Sequence, residues 1–180
     1  MSDRGWTSGT PDVGQTLTAS TGTWTPAGTT SATRWLSDGE PVDGATGSSL
    51  RVTSALAGTA LTARVTATAP GGATGVATSA AVTVRYAPDV RLTLTTPPGA
   101  PRGSACVDVT VRSGAPQAAT GTVSLSIDQR TYRIPLDGSG AGHLDVSGIE
   151  PGDHPVDASY PGDHLVGAGT SPVRRWRVAG

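Results

Sequence analysis

Leu61-Thr62-Ala63-Arg64-Val65-Thr66-Ala67-Thr68 alternates apolar and polar residues without a break. Successive side chains of an extended chain point to opposite faces, so Leu61, Ala63, Val65 and Ala67 line one face and Thr62, Arg64, Thr66 and Thr68 the other. A strand with one buried and one solvated face belongs in an antiparallel sheet. Its register is well specified, because a one-residue slip would turn all four apolar side chains to water. Working towards the N-terminus, Ser31 to Leu36 reads as a facing strand, with Trp35 in phase with Thr33 and directed inward, opposite the Leu61 strand. Leu17 and Ala19 alternate with Thr16, Thr18 and Ser20 in the same manner. Asp38-Gly39 supplies a tight hairpin turn. Val42, Leu50, Val52 and Leu56 supply short strands or plugs, and Pro70-Gly71-Gly72 turns the chain into a last strand over Thr78 to Val84. The pattern predicts about seven strands.

Towards the C-terminus, the run Ala80-Ala81-Val82-Thr83-Val84 stops at Arg85-Tyr86-Ala87-Pro88-Asp89, and a second run, Val90-Arg91-Leu92-Thr93-Leu94, starts at once. Proline removes a ladder donor and biases its predecessor towards extended geometry, so this stretch predicts a short, stiff link between two modules, 1–86 and 87–180. In the second, Val107, Val109 and Val111 share one parity, as do Val123, Leu125 and Ile127, and Val156, Ala158 and Tyr160. Three such strands define two facing sheets. Tyr160 is expected to bury its ring and send its hydroxyl to a backbone carbonyl, as in a tyrosine corner. No window sustains helical apolar spacing over three turns. The fold class is all-β: two tandem immunoglobulin-like β-sandwiches of about seven antiparallel strands each.

Composition agrees with small polar-faced modules. Leu, Ile and Val make up 31 of 180 residues and Phe is absent, so tryptophan and alanine must supply core area. Trp24, Trp35, Val65, Ile127 and Tyr160 are the expected structural core. The formal net charge is -1, and neither half carries a basic excess, which argues against a nucleic-acid partner. Met1-Ser2-Asp3-Arg4 is followed by no apolar segment of the kind a signal peptide carries, and no run of 18 apolar residues occurs, so no membrane insertion is expected. The chain has no Lys and no Asn beside abundant Ala, Gly, Thr and Arg. That bias follows from GC-rich coding and points to an actinobacterium-like host or its phage.

Val13-Gly14-Gln15-Thr16-Leu17-Thr18-Ala19, Gly22-Thr23-Trp24, Trp35, Asp38-Gly39, Gly44-Ala45-Thr46-Gly47-Ser48, Ala63-Arg64-Val65-Thr66-Ala67-Thr68 and Thr78-Ser79-Ala80 together resemble bacterial immunoglobulin-like repeats of large actinobacterial surface and secreted proteins. The second module resembles a related group through Ala119-Thr120-Gly121-Thr122-Val123, Gly138-Ser139-Gly140-Ala141, Tyr160-Pro161-Gly162-Asp163 and Ser171. The resemblance implies non-enzymatic sandwiches. It also departs from the pattern at Thr33, where the family commonly carries an aromatic, which implies looser packing there.

Candidate chemistry is sparse. His143, His154 and His164 lie in the second module with Asp145, Asp153, Asp157 and Asp163, and Gly-Asp-His occurs at 152–154 and 162–164. Imidazole with carboxylate suits zinc, but Gly-Asp pairs also serve tight turns, and the reading assigns both copies to turns, with no metal, no cofactor and no catalytic residue. Trp6 has no assigned role. Trp176 sits in Arg174-Arg175-Trp176-Arg177, which reads either as a last strand with Trp176 and Val178 inward or as a surface contact for a sugar or an anionic polymer. Cys106 shares parity with Asp108 and Thr110, opposite the valines, so its thiol points outward. It is either idle or able to cross-link two chains.

The function expected is a structural spacer, display or adhesion module of a bacterial cell-surface or secreted protein, extracellular within a larger chain and partnered by neighbouring domains. One alternative is a phage virion component, for capsid decoration or the tail, gripping a capsid or tail protein and made in the cytoplasm. The other is an accessory carbohydrate-binding module with a polysaccharide ligand.

Overall fold

The computed structural model describes residues 7–180, so Met1 to Arg4 and Trp6 lie outside the described residues. The chain forms two compact units, Met1–Arg85 and Tyr86–Gly180. Arg85 and Tyr86 are each bonded into their own unit: Arg85 N donates to Pro11 O (3.1 Å) and Tyr86 N to Leu165 O (2.8 Å).

The first unit contains β1 (Thr7–Ser8), β2 (Thr16–Ala19), β3 (Thr30–Ser37), β4 (Glu40–Pro41), β5 (Ser49–Arg51), β6 (Ala60–Thr68), β7 (Thr74–Thr78) and β8 (Val82–Thr83). One sheet runs β1-β2-β5 and the other β4-β3-β6-β7, with β8 also paired to β6. The second contains β9 (Asp89–Thr95), β10 (Ala105–Arg112), β11 (Thr122–Ile127), β12 (Arg130–Pro135), β13 (Ala141–Val146), β14 (Gly152–Tyr160), β15 (Gly169–Thr170) and β16 (Arg174–Val178). Its sheets run β9-β10-β13 and β12-β11-β14-β15, with β16 also paired to β14. Strand for strand the two orders coincide, and every ladder is antiparallel. Each unit is an immunoglobulin-like sandwich, and the protein is all-β.

Among the described residues each unit has eight strands, where the pattern predicts about seven, and the difference comes from an interruption in the last one. Between β7 and β8 stands Ser79, 8% exposed, and between β15 and β16 stands Ser171, 6% exposed. Ala63 N donates to Ser79 Oγ (3.0 Å) and Ala158 N to Ser171 Oγ (2.9 Å). Each hydroxyl replaces a missing strand carbonyl, then donates onward to Ala80 O or Pro172 O. Without it a buried backbone N–H would go unpaired. Ser79→Ala and Ser171→Ala are each expected to lower the stability of their unit by about 1–3 kcal/mol, measured by denaturant unfolding; an unshifted midpoint would show that the N–H finds another partner.

The Leu61 stretch is β6, with Leu61, Ala63, Val65 and Ala67 all at 2% exposure or less. Trp35 faces Ala63 and Thr33 faces Val65 across the β3–β6 ladder. The small Ala63 leaves room for the indole, which is fully buried and donates from Nε1 to Gly47 O (3.0 Å). Thr33 is buried at 6%. The β3–β4 hairpin turns at Asp38 (φ 50°) and Gly39 (φ 89°), both left-handed as the turn requires, and Asp38 Oδ1 accepts from Ala60 N.

Trp24 differs from its expected core role. It is half-buried and packs over the β7 edge, where a Cβ added to Gly75 would lie 2.9 Å from its ring. Its Nε1 donates to Thr21 O at 2.6 Å, so the indole belongs to the loop rather than to the space between the sheets. In the second unit Val107, Val109, Val123, Leu125, Ile134, Val156 and Ala158 are fully buried, with Ile127 and Tyr160 at 1%.

Candidate functional site

The β10–β13 register pairs Cys106 with Asp145 and Asp108 with His143. Alternation sends Ala105, Val107 and Val109 into the core and Cys106 and Asp108 outward. Facing side chains on such a pair stand about 4.5–5.5 Å apart at Cβ, so the four form a square on the outer face of the sheet. His143 Nδ1 lies 2.8 Å from Asp108 Oδ1, and Nε2 lies 3.2 Å from Asp145 Oδ1. One ligand atom from each of Cys106, His143 and Asp145 falls within 4.8 Å of the others.

Both ring nitrogens of His143 face carboxylates, which favours the doubly protonated ring. The hydrogen bond to Asp108, with the charge of Asp145 behind it, raises the imidazole above its ordinary value. Asp145 also accepts from the Cys106 thiol and places its charge beside the sulfur, which raises the thiol in turn. A thiol held protonated is a poor nucleophile, and His143 turns its nitrogens to Asp108 and Asp145, so the cluster is not arranged as a nucleophile and its base. Its donors are those of a cation site.

Cys106 and His143 are far apart along the chain, so sequence order alone does not bring them together. Parity marked Cys106 and Asp108 as outward, but which strand lies beside them, and in what register, follows only from the fold.

The other candidates are engaged in holding the structure. Gly152-Asp153-His154 opens β14 instead of forming the expected turn. His154 Nδ1 lies 2.6 Å from Asp128 Oδ2 and Nε2 lies 2.8 Å from Glu150 O. The Asp128 hydrogen bond, then the Glu150 carbonyl, raise this imidazole too. Its ring stands 6.3 Å from that of Trp176, tilted by 58°. Trp176 is 9% exposed and part of the core, with Arg174, Arg175 and Arg177 exposed. The surface reading of Arg174-Arg175-Trp176-Arg177 is corrected to this extent: the indole is spent on the core and offers no stacking face, because β16 alternation directs it inward with Val178.

Gly162-Asp163-His164 lies in a loop. Asp163 Oδ1 accepts from Val166 N (2.7 Å) and Leu165 N (2.8 Å), and Oδ2 from Thr120 N (2.9 Å). The Tyr160 hydroxyl stands 2.9 Å from both Thr120 O and Asp163 Oδ2. Burial would push the Asp163 carboxyl up, but the backbone donors and the phenol outweigh it and hold it at about 2. Burial and the same carboxylate push the Tyr160 hydroxyl up. The expected corner is present, with its carbonyl supplied by the β10–β11 connection.

No protein-family model matches the chain, and no curated protein matches it. Among solved structures, the chain is similar to fibronectin(III)-like modules of Clostridium thermocellum CbhA, at 13% sequence identity and a TM-score of 0.36, over 91% of this chain and 84% of that one. No helix of the described residues is long and apolar enough to cross a membrane.

Proposed function

We propose that the chain is a non-enzymatic pair of immunoglobulin-like modules, a structural spacer or display arm within a bacterial cell-surface or secreted protein. One observation carries this reading. Trp35, Trp176, Tyr160, His154 and Asp163, side chains suited to stacking or proton transfer, are consumed by hydrogen bonds and packing inside the two sandwiches. The outward faces of β6 and β10 present Thr, Arg and Asp to solvent, as modules that hold their neighbours apart require.

The test is an immunoblot of the source across cytosol, wall, medium and any phage particles. A band well above the 17.9 kDa of this chain in wall or medium is the expected result. A band at that mass co-sedimenting with particles would replace the reading with a virion component, and confinement to cytosol would sink it.

A further inference from the structure

We propose that Cys106, His143 and Asp145 bind one zinc-class divalent cation on the outer face of the β9-β10-β13 sheet, with Asp108 orienting the imidazole. The donor set is one thiolate sulfur, one imidazole nitrogen and one carboxylate oxygen. Hard cations such as magnesium and calcium take all-oxygen shells, whereas sulfur with nitrogen selects zinc and its borderline neighbours.

Spacing agrees with the donor chemistry. Zinc bonds of about 2.0–2.3 Å in tetrahedral geometry put ligand atoms about 3.3–3.7 Å apart. His143 Nε2 and Asp145 Oδ1 already stand 3.2 Å apart, and the whole triad falls within 4.8 Å. Rotation of the Cys106 side chain towards His143 Nε2 closes the remainder. The platform itself is fixed, since β10 is hydrogen-bonded on both sides, to β9 and β13, and rests on the fully buried Val107 and Val109. Sites built on such elements hold their ligands better than sites on loops.

Asp108 supplies the remaining part. A metal-bound imidazole commonly donates its other N–H to a carboxylate, which fixes the ring and its tautomer. His143 Nδ1 already has this partner at 2.8 Å, leaving Nε2 for the cation. Binding releases the thiol proton and the Nε2 proton to solvent. Three protein ligands leave a fourth position for water, and His143 at 54% and Asp145 at 74% side-chain exposure are open to it.

The experiment uses the full chain, reduced, stripped with a chelator and titrated with Co2+. Expected is one Co2+ per chain, with a thiolate-to-cobalt charge-transfer band that Zn2+ displaces. Cys106→Ser removes the band and weakens Zn2+ binding by about 100-fold or more, and His143→Gln weakens it comparably while keeping the thiol. Asp108→Asn keeps the band and weakens binding by about tenfold. All three positions lie on the outer face of the sheet, and circular dichroism checks that each variant folds. Absence of the band at stoichiometric Co2+, or wild-type Zn2+ affinity in either Cys106→Ser or His143→Gln, overturns the assignment. The outcome is independent of where the protein resides.

Discussion

Trp35→Ala is expected to destabilise the first module sharply while leaving the second intact. The indole is fully buried in a core whose other members, Leu17, Ala19, Ala45, Val52, Leu56, Leu61, Ala63 and Val84, are all aliphatic and smaller than it. Large-to-alanine replacements of aromatics in cores cost about 3–5 kcal/mol, and here Gly47 O also loses its donor. A module of this size holds about 4–13 kcal/mol in total, so the loss takes from about a quarter of it to all of it. Amide hydrogen exchange reads the two modules separately. Protection should collapse on β3 and β6 and persist on β10, β11 and β14, whose core draws on none of these residues. Retained protection on β6 would show that the alanine-rich sheet closes without the indole. Trp35→Phe, which keeps most of the volume but not the N–H, should fall between the two.

Asp163→Asn is expected to destabilise the second module by about 2–4 kcal/mol, because the amide would turn an NH2 group towards backbone donors that now meet a carboxylate oxygen. The same residue sets an acid limit. Its carboxyl falls from an ordinary value of 3.8 to about 2 in the folded state, so its stabilisation is fully present above pH 3.8 and is lost as pH drops through about 2. The amount at neutral pH is about 2 kcal/mol. Urea unfolding of the second module at pH 7, 4 and 2 tests this. The wild type should lose about 2 kcal/mol more than Asp163→Asn on acidification, and parallel acid profiles would exclude Asp163 as the group responsible.

Local alternation told most of the fold. It placed Leu61, Ala63, Val65 and Ala67 on a buried face, and Trp35 beside them, because period-two patterning and register are the same information in a half-buried strand. Trp24 lay beyond it: an aromatic in a loop has no parity, and its position depends on the absence of a side chain at Gly75. Trp176 had parity and followed it inward, against the attraction of a basic-aromatic motif. The repeated Gly-Asp-His misled for a related reason, since Gly152 begins a strand whereas Gly162 lies in a loop. The Cys106–His143 juxtaposition was hardest to see, because strand neighbours separated by a sheet crossover leave no mark in the order of residues.

The first unit closes with its two ends side by side. Asp12 and Arg85 form a parallel bridge, in which Arg85 N donates to Pro11 O at 3.1 Å and Val13 N to Arg85 O at 2.9 Å. Strands running in the same direction from opposite termini slide lengthwise when the chain is pulled. Tension that has peeled away β1 therefore meets both hydrogen bonds together, in shear, instead of unzipping them one after another.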